Sequence, residues 1–83
     1  MSTVEQRIRA VLEAHARLPG GLDGVGDETD LFDAGMTSHA SVNVMLAVED
    51  EFDLEFPERM LRKSTFESVA AIRDAVVELG AGG

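Results

Sequence analysis

Apolar residues recur at spacings of three and four in three separate stretches of the chain, and no stretch alternates in the manner of a half-buried strand. Spacing of this kind places apolar side chains on one face of a helix. The chain has 83 residues, which is the size of one small domain. The pattern therefore predicts a single all-α domain over residues 1–83, with three longer helices, one short helix and a long first loop.

The first helix is predicted from about Thr3 to Leu18. Two capping boxes are available at its start, Thr3 with Gln6 and Ser2 with Glu5. A proline and two glycines follow Leu18, and this combination ends helices. The apolar face, which we expect to pack against the core, comprises Val4, Ile8, Val11, Leu12, His15 and Leu18.

A long connection over residues 19–37 contains five of the eight glycines. Loops of this length are uncommon in small domains and are often functional. The glycines match neither a nucleotide-binding motif nor a calcium-binding loop, because the required spacings are absent. No metal site is therefore predicted. The apolar residues expected to anchor the loop to the core are Leu22, Val25, Leu31 and Phe32.

The second helix is predicted from about His39 to Asp53, after a glycine that permits a tight turn. Ser38 stands where the N-cap of this helix belongs. The stripe expected to pack inward comprises Ser41, Val44, Met45, Val48 and Phe52. Val42 and Leu46 lie beside this stripe, so we expect both to be partly exposed among acidic residues. Mixed surfaces of that kind are typical of partner-binding sites.

The last third of the chain predicts two more helices. A short one is expected from Glu58 to Leu61, directly after a proline. Ser64 is the predicted N-cap of the last helix, in a capping box with Glu67, and Thr65 is the alternative cap. The apolar face of the last helix comprises Phe66, Val69, Ile72, Val76 and Leu79. Residues 80–83 are expected to fray.

Charge is distributed unevenly along the chain. There are 16 acidic and 7 basic residues, which gives a net charge of −9. No Lys or Arg occurs between Arg17 and Arg59, where acidic residues are frequent. Such a surface repels the phosphates of nucleic acids and attracts basic partners. It also keeps a protein soluble, and we expect both roles.

No apolar run approaches the roughly 20 residues that span a bilayer, and no N-terminal signal sequence is evident. These absences predict a cytoplasmic protein that does not bind membranes. The chain also has no cysteine. Any thiol chemistry must therefore arrive on a cofactor.

Ser38 admits two interpretations, a helix cap or an attachment point. A hydroxyl at a helix N-terminus lies among unpaired N–H groups at the positive end of the helix dipole, which suits a phosphate ester. His39 places a base beside this nucleophile, but neighbouring residues on a helix point about 100° apart. His15 lies at core spacing and is interpreted as a packing residue rather than a ligand. No catalytic residue is therefore predicted.

Three stretches together resemble the acyl and peptidyl carrier protein family. They are residues 30–38, DLFDAGMTS, residues 48–57, VEDEFDLEFP, and residues 65–72, TFESVAAI, and the match covers nearly the whole chain. The resemblance implies a four-helix bundle. It also implies that Ser38 bears a 4′-phosphopantetheine arm, derived from coenzyme A, on which an acyl group is carried as a thioester.

The usual family pattern at the serine is Asp-Ser-Leu, whereas this chain has Thr37-Ser38-His39. Both changes fall where the modifying transferase and later enzymes dock. The surrounding residues 35–42, GMTSHASV, together with Met45-Leu46, residues 55–57 and residues 63–66, are similar to the stand-alone aminoacyl carrier proteins. Those proteins are served by ligases that resemble class II aminoacyl-tRNA synthetases. The resemblance therefore implies a small amino acid as cargo.

The partners implied are a phosphopantetheinyl transferase, a ligase that loads an amino acid or acyl group, and a downstream acyltransferase or synthase, all acting on a monomeric carrier. The residues expected to contact them are Thr37, His39, Val42, Leu46, Glu49 and Asp50. Two alternatives stay open. One is a general acyl carrier protein of fatty-acid, polyketide or nonribosomal peptide synthesis. The other is a non-catalytic acidic helical interaction module.

Overall fold

Three α-helices form most of the regular structure in the computed structural model, which describes residues 3–80. They are α1 (Val4–His15), α2 (Ser38–Phe52) and α3 (Val69–Glu78). Two 3-10 helices, Glu58–Met60 and Lys63–Phe66, lie between α2 and α3. No strand occurs within the described residues, so the all-α prediction is confirmed. Ser2 and residues 81–83, which the predictions of capping and fraying included, lie outside this range.

The start of α1 is the capping box predicted from Thr3 and Gln6. The Thr3 hydroxyl accepts a hydrogen bond from the Gln6 N–H at 3.1 Å, and the Gln6 side chain accepts one from the Thr3 N–H at 2.9 Å. Two N–H groups that helix formation leaves unpaired are thereby satisfied. The sequence prediction of this cap is confirmed.

The helix ends at His15, three residues before the predicted end at Leu18. Arg17 has a left-handed backbone, with φ 55°, and Leu18 precedes a proline, which disfavours helical geometry. The prediction that His15 packs against the core is wrong, because His15 is exposed. Ala16, which is 1% exposed, occupies the core instead.

The N-cap of α2 is Thr37, so the prediction that Ser38 caps this helix is wrong. Thr37 has an extended backbone, and its hydroxyl accepts a hydrogen bond from the Ala40 N–H at 3.0 Å. Threonine and serine cap by the same chemistry, and two adjacent hydroxyls cannot be separated by sequence pattern alone. At the other end, Asp53 adopts a left-handed conformation with φ 52°, and the helix stops within one residue of the prediction.

The predicted capping box at Ser64 is wrong, because α3 begins at Val69 with Ser68 as its cap. The Ser68 hydroxyl accepts a hydrogen bond from the Ala71 N–H at 3.0 Å. Hydrogen bonds with the long loop fix the backbone on both sides of this start. The Ala70 N–H donates to the Asp27 carbonyl at 2.8 Å, and the Glu67 carbonyl accepts from the Leu31 N–H at 2.7 Å. A helix running continuously from Ser64 would use these same backbone groups internally.

The core lies where α1 packs against both α2 and α3. Burying a large aliphatic side chain contributes about 1.5–3 kcal/mol relative to exposing it. Phe56 and Phe66 belong to this core and meet edge to face, with ring centroids 5.2 Å apart. The largest fully buried side chains are Ile8, Leu12, Leu31, Val44, Val48, Val69, Ile72 and Val76.

The long loop is closed at its base by a contact between Pro19 and Gly35. Gly35 has φ +117°, and a Cβ placed on it would lie 2.7 Å from Cδ of Pro19. Glycine is therefore required here by both backbone conformation and space. Of the predicted loop anchors, Leu31 is fully buried, and Leu22, Val25 and Phe32 are half-buried. No helix within residues 3–80 has the length and hydropathy needed to cross a membrane.

Candidate functional site

Ser38 is the first residue of α2 and is exposed. Because Thr37 provides the cap, the Ser38 hydroxyl is not used for that purpose. The Ser38 carbonyl accepts a hydrogen bond from the Ser41 hydroxyl at 2.6 Å, which steadies the first turn. No acidic residue lies in that turn, so the positive end of the helix dipole is not neutralised there. This environment favours an anion on the Ser38 oxygen.

The turn that leads to Ser38 is held by its own hydrogen bonds. The Asp30 carboxylate accepts from the N–H groups of Phe32 at 2.9 Å and Asp33 at 3.2 Å. The Met36 N–H donates to the carbonyl of the buried Leu31 at 2.9 Å. The backbone that delivers the chain to α2 is thereby fixed to the core.

A groove of about 400 Å³ runs beside Ser38, between α2, the long loop and the segment that contains the second 3-10 helix. Its walls are largely apolar, with two cations on one side. The lining residues are Phe32, Ser38, Ser41, Val42, Met45, Leu61, Arg62, Lys63 and Phe66. Sequence analysis did not identify Leu61, Arg62 and Lys63 as part of the site. The charges of Arg62 and Lys63 were visible in the sequence, but the position of all three residues beside Ser38 depends on the tertiary fold.

The predicted contact residues of α2 divide into two kinds. Thr37, His39 and Asp50 are exposed, and Val42 and Leu46 are 50% and 53% exposed. Helical spacing aligns Val42 and Leu46 with Ser38. We call the surface formed by the exposed residues at and after the start of this helix the α2 face. It comprises Thr37, Ser38, His39, Val42, Leu46 and Asp50.

Glu49 differs from the other predicted contact residues. It is half-buried, and its carboxylate accepts a hydrogen bond from the Phe56 N–H at 2.8 Å. This bond fixes the segment that leaves α2. Glu49 therefore stabilises the fold, whereas its exposed neighbour Asp50 leaves its charge available to a partner.

Four of the basic residues form ion pairs with carboxylates. Hydrogen bonds to Asp74 and Glu5 raise the pKa of Arg73, which forms two of these pairs. At 2.7 to 3.4 Å the five pairs among the described residues are Arg7–Glu51, Arg9–Asp27, Arg59–Glu78, Arg73–Glu5 and Arg73–Asp74. In the described part of the chain, no group of three or more His, Asp or Glu side chains is arranged to hold a metal ion.

The model of the phosphopantetheine attachment site family matches residues 6–73. The chain is 45% identical over 69 residues to an aminoacyl carrier protein of Agrobacterium fabrum, and the match covers 83% of each chain. It is 32% identical over 80 residues to aminoacyl carrier protein 2 of Bradyrhizobium diazoefficiens, which covers 95% of this chain and 90% of the relative.

The solved structures that this fold resembles point to the same family as these relatives. The fold matches a chain in the crystal structure of an engineered Bradyrhizobium japonicum glycine:[carrier protein] ligase complexed with carrier protein from Agrobacterium tumefaciens and ATP. That match has a TM-score of 0.87 and 41% identity, and covers 90% of this chain and 97% of the other. A second match is to the Bradyrhizobium japonicum ligase complexed with glycylated carrier protein, with a TM-score of 0.75 and 30% identity over 87% of this chain and 96% of that one. The chain thus belongs to the phosphopantetheine attachment family, and within it to the aminoacyl carrier proteins.

Proposed function

We propose that this protein carries an aminoacyl group on a 4′-phosphopantetheine arm attached to Ser38, and delivers it to partner enzymes. The observation that carries the proposal is the exposed Ser38 at the start of α2, whose hydroxyl is spared from capping by Thr37. A serine committed to a cap would have to break that bond before it could be modified. Ser38 needs no such rearrangement.

The described residues fit the proposed arm. The N–H groups of the first turn of α2 and the absence of acid there suit a phosphodiester on the Ser38 oxygen. The groove beside Ser38 offers apolar walls, including Val42, Met45 and Leu61, against which an extended chain can lie. When attached, the group supplies the thiol that this cysteine-free chain lacks.

The α2 face would receive the modifying transferase, the ligase and a downstream acyltransferase or synthase. Its half-exposed Val42 and Leu46 offer apolar contacts, and the exposed Asp50 offers a charge that attracts basic surfaces. Thr37 and His39 flank Ser38 and would distinguish these partners from those of carriers with Asp and Leu at the same places. The chain itself is proposed to be monomeric and non-catalytic, with the chemistry done by its partners. Its cytoplasmic location stays a prediction.

The cargo we propose is a small amino acid, with glycine as the first candidate. The glycine:[carrier protein] ligases in the similar solved structures support this choice. A small aminoacyl group also keeps its charged ammonium in water, where burial would be costly. The one observation that favours a general acyl carrier instead is the apolar lining of the groove.

Attachment is tested by incubating the protein with coenzyme A and a broad-specificity phosphopantetheinyl transferase, with intact-mass measurement. We expect the wild type to gain one arm and Ser38→Ala to gain none. Ser41→Ala is the matched control, because Ser41 lies in the same turn and lines the same groove. An arm on Ser38→Ala would overturn the assignment of the serine. A wild type that never gains an arm would favour the acidic interaction module.

Cargo is tested by offering the arm-bearing protein to a ligase of this class with ATP and single amino acids, and separately to fatty-acyl loading enzymes. We expect a mass increase with a small amino acid and little with fatty acyl groups. Efficient fatty acylation, without aminoacylation by any ligase tested, would return the protein to the general acyl carriers.

A further inference from the structure

Two neighbouring cations on the wall of the groove have no carboxylate partner within residues 3–80. They are Arg62 and Lys63. This is unusual in a chain with 16 acidic and 7 basic residues, in which Arg7, Arg9, Arg59 and Arg73 are all paired. Arg17 is also unpaired among the described residues, but it does not line the groove.

Both side chains are held in place by contacts that leave their charge unneutralised. The Lys63 ammonium lies 4.8 Å from the centroid of the Phe32 ring, a cation–π contact between two residues that line the groove. The Arg62 Nε donates to the Arg59 carbonyl at 3.0 Å, so its remaining N–H groups stay available. Each side chain is therefore already restrained, so it loses less conformational entropy when its cation binds an anion.

We infer that Lys63, with Arg62 beside it, binds the phosphodiester of the arm on Ser38 and holds the arm in the groove. This inference rests on the proposed function. Ser38, Arg62 and Lys63 line one cavity, and a phosphodiester on Ser38 adds an anion to that cavity. A lysine ammonium acts as a point charge toward phosphate and accepts a range of approach directions.

The alternative use of these cations is as a contact for an acidic partner. The position of Lys63 favours the arm. Its ammonium lies over a ring that itself lines the groove, and the apolar residues Val42, Met45 and Leu61 form the walls around it. An ion pair at a partly apolar wall is less screened than one in open solvent.

The first experiment uses the wild type alone. Amide and lysine side-chain NMR signals are compared before and after arm attachment, which is followed by intact mass. We expect the signals of Phe32 and residues 61–63 to shift, and those of Arg17 to stay unchanged. If no arm is gained, the proposed function itself fails. If the arm is gained while Lys63 and Phe32 do not shift, only the present inference is overturned.

The second experiment asks whether the charge is responsible. The thermal midpoint of the arm-bearing form minus that of the unmodified form is measured for wild type and Lys63→Gln. Subtraction removes the loss of the cation–π contact with Phe32, which is common to both forms. We expect Lys63→Gln to lower this difference by about 2–4 °C at low salt, and by less at high salt.

Two further variants complete the test. Lys63→Arg keeps the charge and should keep the difference. Arg17→Gln removes the same charge from an unpaired residue outside the groove and should leave the difference at its wild-type value. An equal loss in Lys63→Arg and Lys63→Gln would assign the effect to packing and overturn the inference. So would an equal loss in Arg17→Gln, or an unchanged difference in Lys63→Gln accompanied by slower ligase loading, which would identify a partner contact.

Discussion

Ser38 and Ser68 both lie at helix starts, yet only the Ser68 hydroxyl caps its helix. Ser68 is buried, precedes α3 and accepts the Ala71 N–H. Ser38 is exposed and is already inside α2, because Thr37 has taken the cap. A shift of one position relative to the helix start thus separates a structural serine from one that is available for modification. The same division recurs in the pair Glu49 and Asp50, where only Glu49 holds the backbone.

The largest expected effects come from replacing each of the two serines with alanine. Ser38→Ala should abolish arm attachment and change the free energy of unfolding by no more than about 0.5 kcal/mol, as for other exposed positions. Ser68→Ala should retain attachment and lose about 1 kcal/mol, which lowers the thermal midpoint by about 4–8 °C. Intact mass and thermal unfolding measure the two effects. Comparable destabilisation by both variants would remove the distinction between the serines.

The next effect separates Glu49 from Asp50. Glu49→Ala leaves the N–H of the buried Phe56 without its acceptor and should cost about 1–3 kcal/mol. Asp50→Ala removes an exposed charge and should stay within about 0.5 kcal/mol. Urea unfolding of both variants provides the measurement. A Glu49→Ala protein as stable as Asp50→Ala would mean that the bond to Phe56 contributes nothing.

Substitutions at Thr37 test the difference between the cap residue and its neighbour Ser38. Thr37→Ala should cost about 1 kcal/mol, because the Ala40 N–H loses its acceptor. Thr37→Asp should preserve stability, since aspartate caps at least as well as threonine. The aspartate also restores the usual family residue before the serine, so we expect faster modification by a transferase from fatty-acid synthesis. Attachment rates slower than those of the wild type would contradict this expectation.

The smallest effect is electrostatic. Asp50→Lys should slow loading by the partner ligase several-fold at low salt, with little change at high salt, because exposed charges act mainly on association rate. Lysine substitution of Glu13, which is exposed on α1, serves as the control for net charge. Equal slowing in both variants would assign the effect to total charge rather than to the α2 face.

The sequence predicted those parts of the fold that depend on local periodicity. The helical faces around Ile8, Val44 and Ile72 are buried as expected, since helical spacing alone determines which side chains share a face. The start of α3 was misplaced because Ala70 donates a hydrogen bond to Asp27 and Glu67 accepts one from Leu31, and these partners lie far away in the sequence. No local pattern contains that information.

The candidate site divides in the same way. Ser38 was identified as the attachment point from its place after the loop and from the family resemblance, and the structure has it exposed at the start of α2. The prediction that Ser38 caps α2 was wrong because Thr37 offers the same chemistry one residue earlier. Arg62 and Lys63 were missed because they come near Ser38 only when the segment after α2 folds back.

The contact between Pro19 and Gly35 has a consequence for how such chains diverge. Because the two ends of the loop touch, that contact helps to fix the start of α2, together with the hydrogen bonds of Asp30 and Met36. Gly20, Gly21 and Gly24 face open space. Related genes can therefore gain or lose codons beside Gly20, Gly21 and Gly24 without moving Ser38, as long as Leu22 keeps its packing against the core. Length variation between homologues should concentrate there, while position 35 stays glycine.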